Sequence, residues 1–202
     1  MGSSPGAVIH WAARYDMLIA LITLGGERRF RRRLLQLGKV KGGETVLDVG
    51  CGTGSLAIEA KRAVGAGNVF GIDASPEMIE RARKKATKAG LSIRFDVALA
   101  QALPFGYSQF DVVLSSVMMH HLPKAGRPEA MREMKRVLKP GGRALLVDFG
   151  RSSSGQKGLL GRIHGHGGVD ASRLIALATE AGLNVLESGP VGTWDLQYVL
   201  AA

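Results

Sequence analysis

The sequence predicts an α/β fold in which a seven-stranded, mostly parallel β-sheet carries helices on both faces. Short apolar runs alternate with stretches of helical periodicity between residues 46 and 181, which is typical of repeated strand–helix units. The run at residues 110–115 is apolar on both faces, as expected for a central strand of a parallel sheet. The last two apolar runs follow each other without a helical stretch between them, which predicts an antiparallel hairpin that closes the sheet.

Local chemistry predicts where the elements begin and end. Ser75 and Asp170 can cap helix N-termini, Gly90 and Gly182 can end helices, and Pro140-Gly-Gly142 predicts a turn before the fifth strand. The predicted strands cover residues 46–49, 68–73, 92–97, 110–115, 143–149, 184–188 and 196–200. The predicted helices cover residues 7–37, with a break at glycines 25 and 26, and then 55–66, 75–89, 128–138 and 170–181.

The length of 202 residues fits a single domain. Within it we expect residues 1–40 to form an N-terminal helical lid region and residues 41–202 to form the sheet domain. No apolar run reaches the roughly 18 residues that a membrane-spanning helix needs, and the N-terminus lacks the pattern of a secretory signal. Cys51 is the only cysteine, so no internal disulfide can form, which favours a cytoplasmic, reducing compartment.

The chain is strongly basic, with a formal net charge of +10. Such a charge suits nucleic acid, anionic lipid or an acidic partner and does not by itself choose among them. An aromatic content of 5% argues against a base-stacking platform and so against nucleic acid. The densest basic stretch is residues 27–33. It can be an ordinary solvated helix face, or it can support peripheral contact with an anionic membrane, with Trp11 and Phe30 near the interface.

A glycine-rich turn follows the first predicted strand. Gly50, Gly52 and Gly54 allow a ligand to approach the backbone closely, but their G-x-G-x-G spacing differs from the G-x-G-x-x-G of pyrophosphate-binding loops. Asp48, two residues before the loop, favours a cationic ligand. Asp73, at the end of the second strand, can accept both hydroxyls of a ribose. The ordinary alternatives are a tight turn, a solvated strand end at Asp48 and a helix N-cap at Asp73.

Five segments together resemble the class I S-adenosylmethionine (SAM)-dependent methyltransferases, and most closely the small-molecule branch that includes the ubiquinone/menaquinone C-methyltransferases. They read VLDVGCGTG at 46–54, GIDASPEMI at 71–79, ALPF at 102–105, FDVVLSSVMMHHL at 110–122 and VLKPGGRALLVDF at 137–149. The resemblance implies a Rossmann-like fold and SAM as the cofactor, with S-adenosylhomocysteine as its product. SAM carries a sulfonium and an ammonium group, which fits the acid beside the loop.

The resemblance also implies how the methionine end of SAM is held. The loop from Gly50 to Gly54, including the backbone of Cys51, would wrap it. Asp48 would hold the ammonium group directly or through water, and Ser115 and Ser116 would present a carbonyl or hydroxyl to the same end. Cys51 could in principle act as a reactive thiol, although a small residue that contributes its backbone is the simpler interpretation.

At the other end of SAM, the resemblance implies that Ala74 and Met78 pack on the adenine, while Met78 could equally be a core residue. The chain departs from the family at Leu99, where an acid usually meets the adenine amino group. A leucine cannot accept that hydrogen bond. Either backbone groups around Ala100 or the side chain of Gln101 would then take over the contact.

Residues for the substrate chemistry are less sharply indicated. His120 and His121 follow the fourth strand and titrate near neutrality, so either could act as a base; a helix-entry or core position is the alternative. In the resembling family the N-terminal region covers the cofactor, where Tyr15 could close the pocket or simply pack in the core. His164 and His166 could line a mobile wall over the substrate or belong to an ordinary loop. No clustered acid or cysteine completes a metal site around them.

The sequence therefore predicts a methyltransferase that acts at carbon, nitrogen or oxygen of a small acceptor that could be hydrophobic. The alternative is a non-catalytic SAM-binding or membrane-associated module. A nucleotide-dependent oxidoreductase is disfavoured by the loop spacing and by Asp48. Monomer and homodimer both remain open.

Overall fold

The computed structural model describes residues 26–150, 169–192 and 195–202 of the protein. Its helices are α1 (Glu27–Leu37), α2 (Ser55–Val64), α3 (Pro76–Lys88), α4 (Gly126–Val137) and α5 (Ala171–Glu180), with a 3-10 helix at Met119–His121. Its strands are β1 (Val46–Val49), β2 (Val69–Asp73), β3 (Arg94–Val97), β4 (Phe110–Ser116), β5 (Leu138–Phe149), β6 (Val185–Pro190) and β7 (Leu196–Ala201).

The strands form one seven-stranded sheet in the order β3-β2-β1-β4-β5-β7-β6. The first five strands in chain order pair in parallel, and β7 lies antiparallel between β5 and β6. The predicted mostly parallel sheet with an antiparallel closing pair is thus confirmed. The chain leaves β1 outward through β2 and β3 and returns on the other side of β1 as β4. In such sheets a crevice for ligands opens at this reversal, beyond the carboxyl ends of the strands.

The sheet separates two apolar cores. Helices α1, α2 and α3 cover one face, where Leu34, Ala57 and Ile79 are buried against it. Helices α4 and α5 cover the other face, where Met131 and Leu174 are buried. The apolar runs of the central strands are needed because alternate side chains enter opposite cores.

The turn predicted at Pro140-Gly-Gly142 is wrong as a boundary, because β5 begins at Leu138 and runs through it. Leu138 pairs with Phe110 and Arg143 pairs with Val112, so β5 has three residues more than β4 between these pairs. This irregularity is a bulge in the ladder, and Gly141 absorbs it with a φ of +76°. Pairing with a strand remote in sequence overrides the local turn signal.

The predicted helix caps are confirmed by hydrogen bonds. Ser75 Oγ accepts from the Met78 N–H at 3.3 Å, and Asp170 Oδ1 accepts from the Arg173 N–H at 2.9 Å. Each cap satisfies a backbone N–H that has no partner within its helix.

We expect the change Asp170→Ala to lower the free energy of unfolding by about 1 kcal/mol, because it removes the acceptor at the start of α5. Urea unfolding measures the difference. Asp170→Asn is the matched control: it keeps an oxygen at the same position and should stay within a few tenths of a kcal/mol of wild type. An alanine variant as stable as wild type would show that the cap contributes nothing.

Candidate cofactor and catalytic site

The glycine loop after β1 needs glycine for two different reasons. A Cβ at Gly54 would lie 2.9 Å from Ala82 Cβ, and a Cβ at Gly50 would overlap the Met118 side chain. Close packing therefore requires glycine at both positions. At Gly52, which has a φ of +53°, a Cβ would meet nothing within 4 Å. Gly52 thus faces open space, where a ligand could approach the backbone.

Asp48 lies at the end of β1 with only 1% of its surface exposed. The alternative of a solvated strand end is therefore wrong. Its Oδ2 has no hydrogen-bond partner among the described residues. Burial raises the pKa of Asp48 to about 7, against a lowering by Arg31, and repulsion from Asp73 adds to the increase. A cationic ligand would satisfy this buried oxygen and favour its ionised form.

Ser115 supplies a second buried polar atom at the same edge of the sheet. Asp48 pairs with Leu114 of β4, so Ser115 follows directly beside it at the end of the neighbouring strand. Ser115 Oγ is buried and has no partner within the described ranges, whereas Ser116 is partly exposed. Both atoms lie at the carboxyl ends of adjacent strands, on opposite faces of the sheet, where polar groups of a ligand could satisfy them.

The carboxylate of Asp73 connects the glycine loop to the start of α3. Its Oδ2 accepts from the Gly52 N–H and its Oδ1 from the Ser75 N–H, both at 2.9 Å. Burial raises the pKa of Asp73, and these two hydrogen bonds oppose the increase. Because Ser75 caps α3, the alternative that Asp73 is the N-cap is wrong. Each Asp73 oxygen can still accept another hydrogen bond, as ribose hydroxyls would require.

The residues expected near an adenine have mixed environments. Met78 and Ala100 are buried, Ala74 is exposed, and Leu99 is 51% exposed. The amide of Gln101 packs on the first residue of α4, since a Cβ at that glycine would lie 2.8 Å from Gln101 Nε2.

Two residues of α4 that the sequence did not indicate hold the loop after β3. Glu133 Oε2 accepts from the Leu103 N–H at 2.8 Å. Arg136 donates to the carbonyls of Leu103 and Phe105 at 3.1 and 2.7 Å. The loop that contains Leu99 and Gln101 is therefore held in place by two side chains of α4.

The 3-10 helix after β4 brings His120 against Asp148. His120 Nδ1 lies 2.7 Å from Asp148 Oδ1, and the His120 N–H donates to Asp148 Oδ2 at 3.0 Å. The Phe149 N–H also donates to Oδ1 at 2.8 Å, and Asp148 is fully buried. Sequence reasoning missed Asp148. The available signal was an acid inside an apolar strand that ends at the predicted ligand edge.

The neighbours of this pair differ in exposure. His121 is exposed, with its ring centroid 3.9 Å from that of His120. Arg127 is buried at the start of α4 and donates to the Leu122 and His120 carbonyls at 3.2 and 3.4 Å. Burial lowers the pKa of Arg127, while attraction to Asp148 raises it. His120 is therefore coupled directly to a buried acid.

The thiol of Cys51 is poorly suited to nucleophilic catalysis. Burial raises its pKa well above the usual value, and repulsion from Asp48 and Asp73 adds to the increase. The reactive form of cysteine is the thiolate, which this environment disfavours. Three further candidates, Tyr15, His164 and His166, lie outside the described residues, as does Trp11.

Known structures share this fold. A SAM-dependent methyltransferase from Aquifex aeolicus superposes with a TM-score of 0.75 at 24% identity, over 94% of this chain and 97% of that one. A family model described as a methyltransferase domain matches residues 46–142, which include the glycine loop, Asp73 and the segment through His120.

Two curated methyltransferases are more similar to this chain in sequence than the Aquifex structure is. A demethylmenaquinone methyltransferase from Thermus thermophilus is 38% identical over 153 residues, covering 76% of this chain and 69% of the relative. A ubiquinone/menaquinone biosynthesis C-methyltransferase from Bdellovibrio bacteriovorus is 38% identical over 141 residues, covering 69% of this chain and 59% of the relative. The chain belongs to the class I SAM-dependent methyltransferases. Within that family it is similar to quinone methyltransferases, of which it spans about six to seven tenths.

Two glycine variants should separate cofactor binding from folding. Gly52→Ala should keep the fold and add a strain of about 1 kcal/mol, because residue 52 has a positive φ. Its Cβ would enter the open space above the loop, so SAM affinity should fall at least about tenfold. Gly54→Ala adds overpacking against α3 and should cost roughly 1–3 kcal/mol more in stability. Thermal melting and calorimetric titration of SAM measure the two effects. Unchanged SAM affinity in Gly52→Ala would remove the loop from the cofactor site.

The raised pKa of Asp48 predicts opposite pH trends for stability and ligand binding. In the ligand-free fold the buried Asp48 is more stable protonated than ionised. Its protonation therefore stabilises the fold fully at pH values below the pKa of Asp48 in the unfolded chain, near 4, and this contribution is lost as the pH rises through about 7. SAM affinity should instead rise over this interval, because the ionised carboxylate attracts the cation.

Asp48→Asn tests both trends. We expect it to melt higher than wild type at about pH 8 without ligand, and to bind SAM at least about tenfold more weakly there. Melting curves and SAM titrations from about pH 5 to about pH 8 provide the comparison. Parallel melting profiles for the two proteins would contradict the raised pKa.

Proposed function

We propose that the protein transfers the methyl group of SAM to a ring carbon of a small hydroxylated aromatic acceptor of the quinol or phenol class. The observation that carries this proposal is the His120–Asp148 pair at the carboxyl ends of β4 and β5, the same edge of the sheet at which Asp48 and Ser115 have unsatisfied oxygens. The names of the relatives support the acceptor class, since one is a demethylmenaquinone methyltransferase and the other a C-methyltransferase of ubiquinone and menaquinone biosynthesis.

The residues that would hold the cofactor lie where the chain reverses direction across the sheet, and they offer polar groups that can still form hydrogen bonds. Asp48 and Ser115 would receive the ammonium end, the backbone around Gly52 would lie along the methionine part, and Asp73 would take the ribose. Bound SAM supplies a methyl group already activated on a positively charged sulfur. The chain itself then has to align the acceptor and remove one proton.

His120 is suited to remove that proton. In the tautomer that carries its hydrogen on Nδ1, His120 would donate to the buried Asp148 carboxylate, and Nε2 would be the basic nitrogen of the ring. The Asp148 oxygens also accept the His120 and Phe149 N–H groups, so the carboxylate and the imidazole are held in one orientation. Asp148 therefore acts as a positioning residue for His120.

The acidity of a phenolic hydroxyl also supports this class of acceptor. A neutral histidine, with an ordinary pKa of about 6.5, is a weak base. It can assist the loss of a proton from a phenolic hydroxyl, with a pKa near 10, far more readily than from an alcohol. Removing the phenolic proton raises the electron density at the ring carbons, where the methyl group would be received. The ring carbon would then give up its own proton and the oxygen would regain one, which restores the aromatic ring with the loss of one proton overall. The Phe149 ring, 5.3 Å from that of His120 and nearly perpendicular to it, adds apolar surface beside the base.

The central experiment measures methyl transfer to a panel of quinols, phenols and amines together with SAM binding. We expect His120→Ala to lower kcat/KM by about 10²–10⁴ while the SAM Kd changes by less than about twofold. His121→Ala is the matched control, because its ring is adjacent and exposed; it should retain most activity. Asp148→Asn should also lower kcat and should shift the acidic limb of the pH–rate profile, which a purely structural role would not do.

Other outcomes would contradict parts of this proposal. SAM binding without transfer to any acceptor would favour a non-catalytic SAM-binding module. Full activity of His120→Ala would remove this residue as the base. Transfer to amines alone would overturn the acceptor class while leaving the methyltransferase function in place.

A further inference from the structure

The two helical layers of the molecule differ in charge. Helices α1, α2 and α3 carry twelve arginines and lysines against four glutamates, a net formal charge of +8. Helices α4 and α5, on the opposite face of the sheet, carry five basic and three acidic residues, a net +2. Of the net charge carried by these five helices, most therefore lies on one side of the sheet. We refer to the outer surface of α1, α2 and α3 as the basic face.

Much of this charge is available to a partner. Arg28, Arg29, Arg32 and Arg33 are all exposed along α1. Arg29 and Arg33 have no acidic partner among the described residues. These side chains project from a helix that is anchored by its buried leucines, so the charges are held on a fixed surface.

An amphipathic cleft of about 350 Å³ lies within the basic face, between α1 and α2. Its polar lining is Arg32, Gln36, Glu59 and Arg62, and its apolar lining is Leu35, Val40 and Ala63. A cleft with cationic and apolar walls suits a ligand that joins an anionic group to an apolar body.

Glu59 does not neutralise the cleft. It is buried and forms ion pairs with Arg28 at 3.0 Å, with Arg32 at 3.5 Å and with Arg62. Burial alone would raise the pKa of Glu59, but the hydrogen bonds and charges of Arg28 and Arg62 lower it overall. One carboxylate thus faces three guanidinium groups. Arg32 and Arg62 line the cleft together with Glu59, which leaves a net charge of +1 in the cleft, and Arg28 lies beside it.

We propose that the basic face binds the surface of an anionic phospholipid bilayer, with a lipid phosphate in the cleft between α1 and α2. Each basic residue near such a surface contributes roughly fivefold in affinity. The apolar wall of the cleft favours a lipid over a nucleic acid, which would present phosphate without an apolar body. Within the described ranges, the large exposed apolar side chains are Val97, Leu99, Tyr107 and Leu186, so α1, α2 and α3 offer no aromatic surface for base stacking.

Binding would be peripheral. Across the described parts of the chain, no helix is long and apolar enough to cross a membrane. The benefit of docking rests on the proposed function, since a quinol acceptor that partitions into lipid would be met at the bilayer surface. The binding itself does not depend on that function, because it involves a different surface from the catalytic residues.

Co-sedimentation with lipid vesicles tests the proposal. We expect wild type to bind vesicles that contain phosphatidylglycerol, to release them at high salt, and to bind pure phosphatidylcholine at least tenfold more weakly. The double variant Arg29→Glu/Arg33→Glu should lower binding to the anionic vesicles at least tenfold. The matched control is Arg132→Glu/Lys135→Glu, which changes the net charge equally at exposed positions on the opposite face. It should stay within twofold of wild type.

Three results would overturn the proposal. Equal losses in the two double variants would mean that net charge, and not the basic face, drives binding. Tighter binding to an RNA or DNA oligonucleotide than to vesicles, lost in Arg29→Glu/Arg33→Glu, would identify a nucleic-acid surface. Release by inorganic phosphate, beyond that by chloride at equal ionic strength, would indicate a free-anion site.

A second variant and a second readout keep the two proposals separate. Arg32→Gln/Arg62→Gln removes cleft charge without reversing it and should lower vesicle binding several-fold. The variant should melt below wild type but remain folded at the assay temperature, because Arg28 still pairs with Glu59. Methyl transfer to a short, water-soluble acceptor should be unaffected by Arg29→Glu/Arg33→Glu. Loss of vesicle binding with intact transfer supports the docking surface, whereas intact vesicle binding without transfer contradicts only the proposed reaction.

Discussion

Three backbone N–H groups of the glycine loop donate to the end of β2. Gly50 and Cys51 donate to the Ile72 carbonyl at 2.8 and 2.9 Å, and Gly52 donates to the Asp73 carboxylate. These bonds place the loop across the carboxyl ends of the central strands. The packing of Met118 against Gly50 then joins the loop to the segment after β4, two residues before His120. Cofactor and catalytic candidates are thereby brought to one edge of the sheet.

Two buried aspartates at that edge have opposite environments. Asp148 lies 2.7 Å from His120 Nδ1 and accepts from two backbone N–H groups, so its contacts are supplied by the chain itself. Asp48 keeps an oxygen without a partner in the described ranges, and burial raises its pKa to about 7. The first arrangement orients a base. The second leaves a site in which a cation would be stabilised, as the family's cofactor requires.

The positive charge of the helices is divided unequally between the two faces of the sheet. The sheet core is apolar on both sides, but the helices that cover it differ, with most of the positive charge on α1, α2 and α3. Arg31 links the two regions, because this residue of the basic helix α1 is near enough to lower the pKa of Asp48. The surface of α1 can therefore serve a partner while its inner side contributes to the ligand edge.

The sequence by itself determined what depends on neighbouring residues. The strand–helix alternation, the caps at Ser75 and Asp170 and the glycine loop are local features, and local sterics and hydrogen bonds decide them. The tertiary structure decided what depends on residues far apart in the chain. His120 and Asp148 are 28 residues apart, and β5 begins at Leu138 only because it pairs with Phe110. Neither follows from a local pattern, because the parallel register of the sheet sets which strand ends meet.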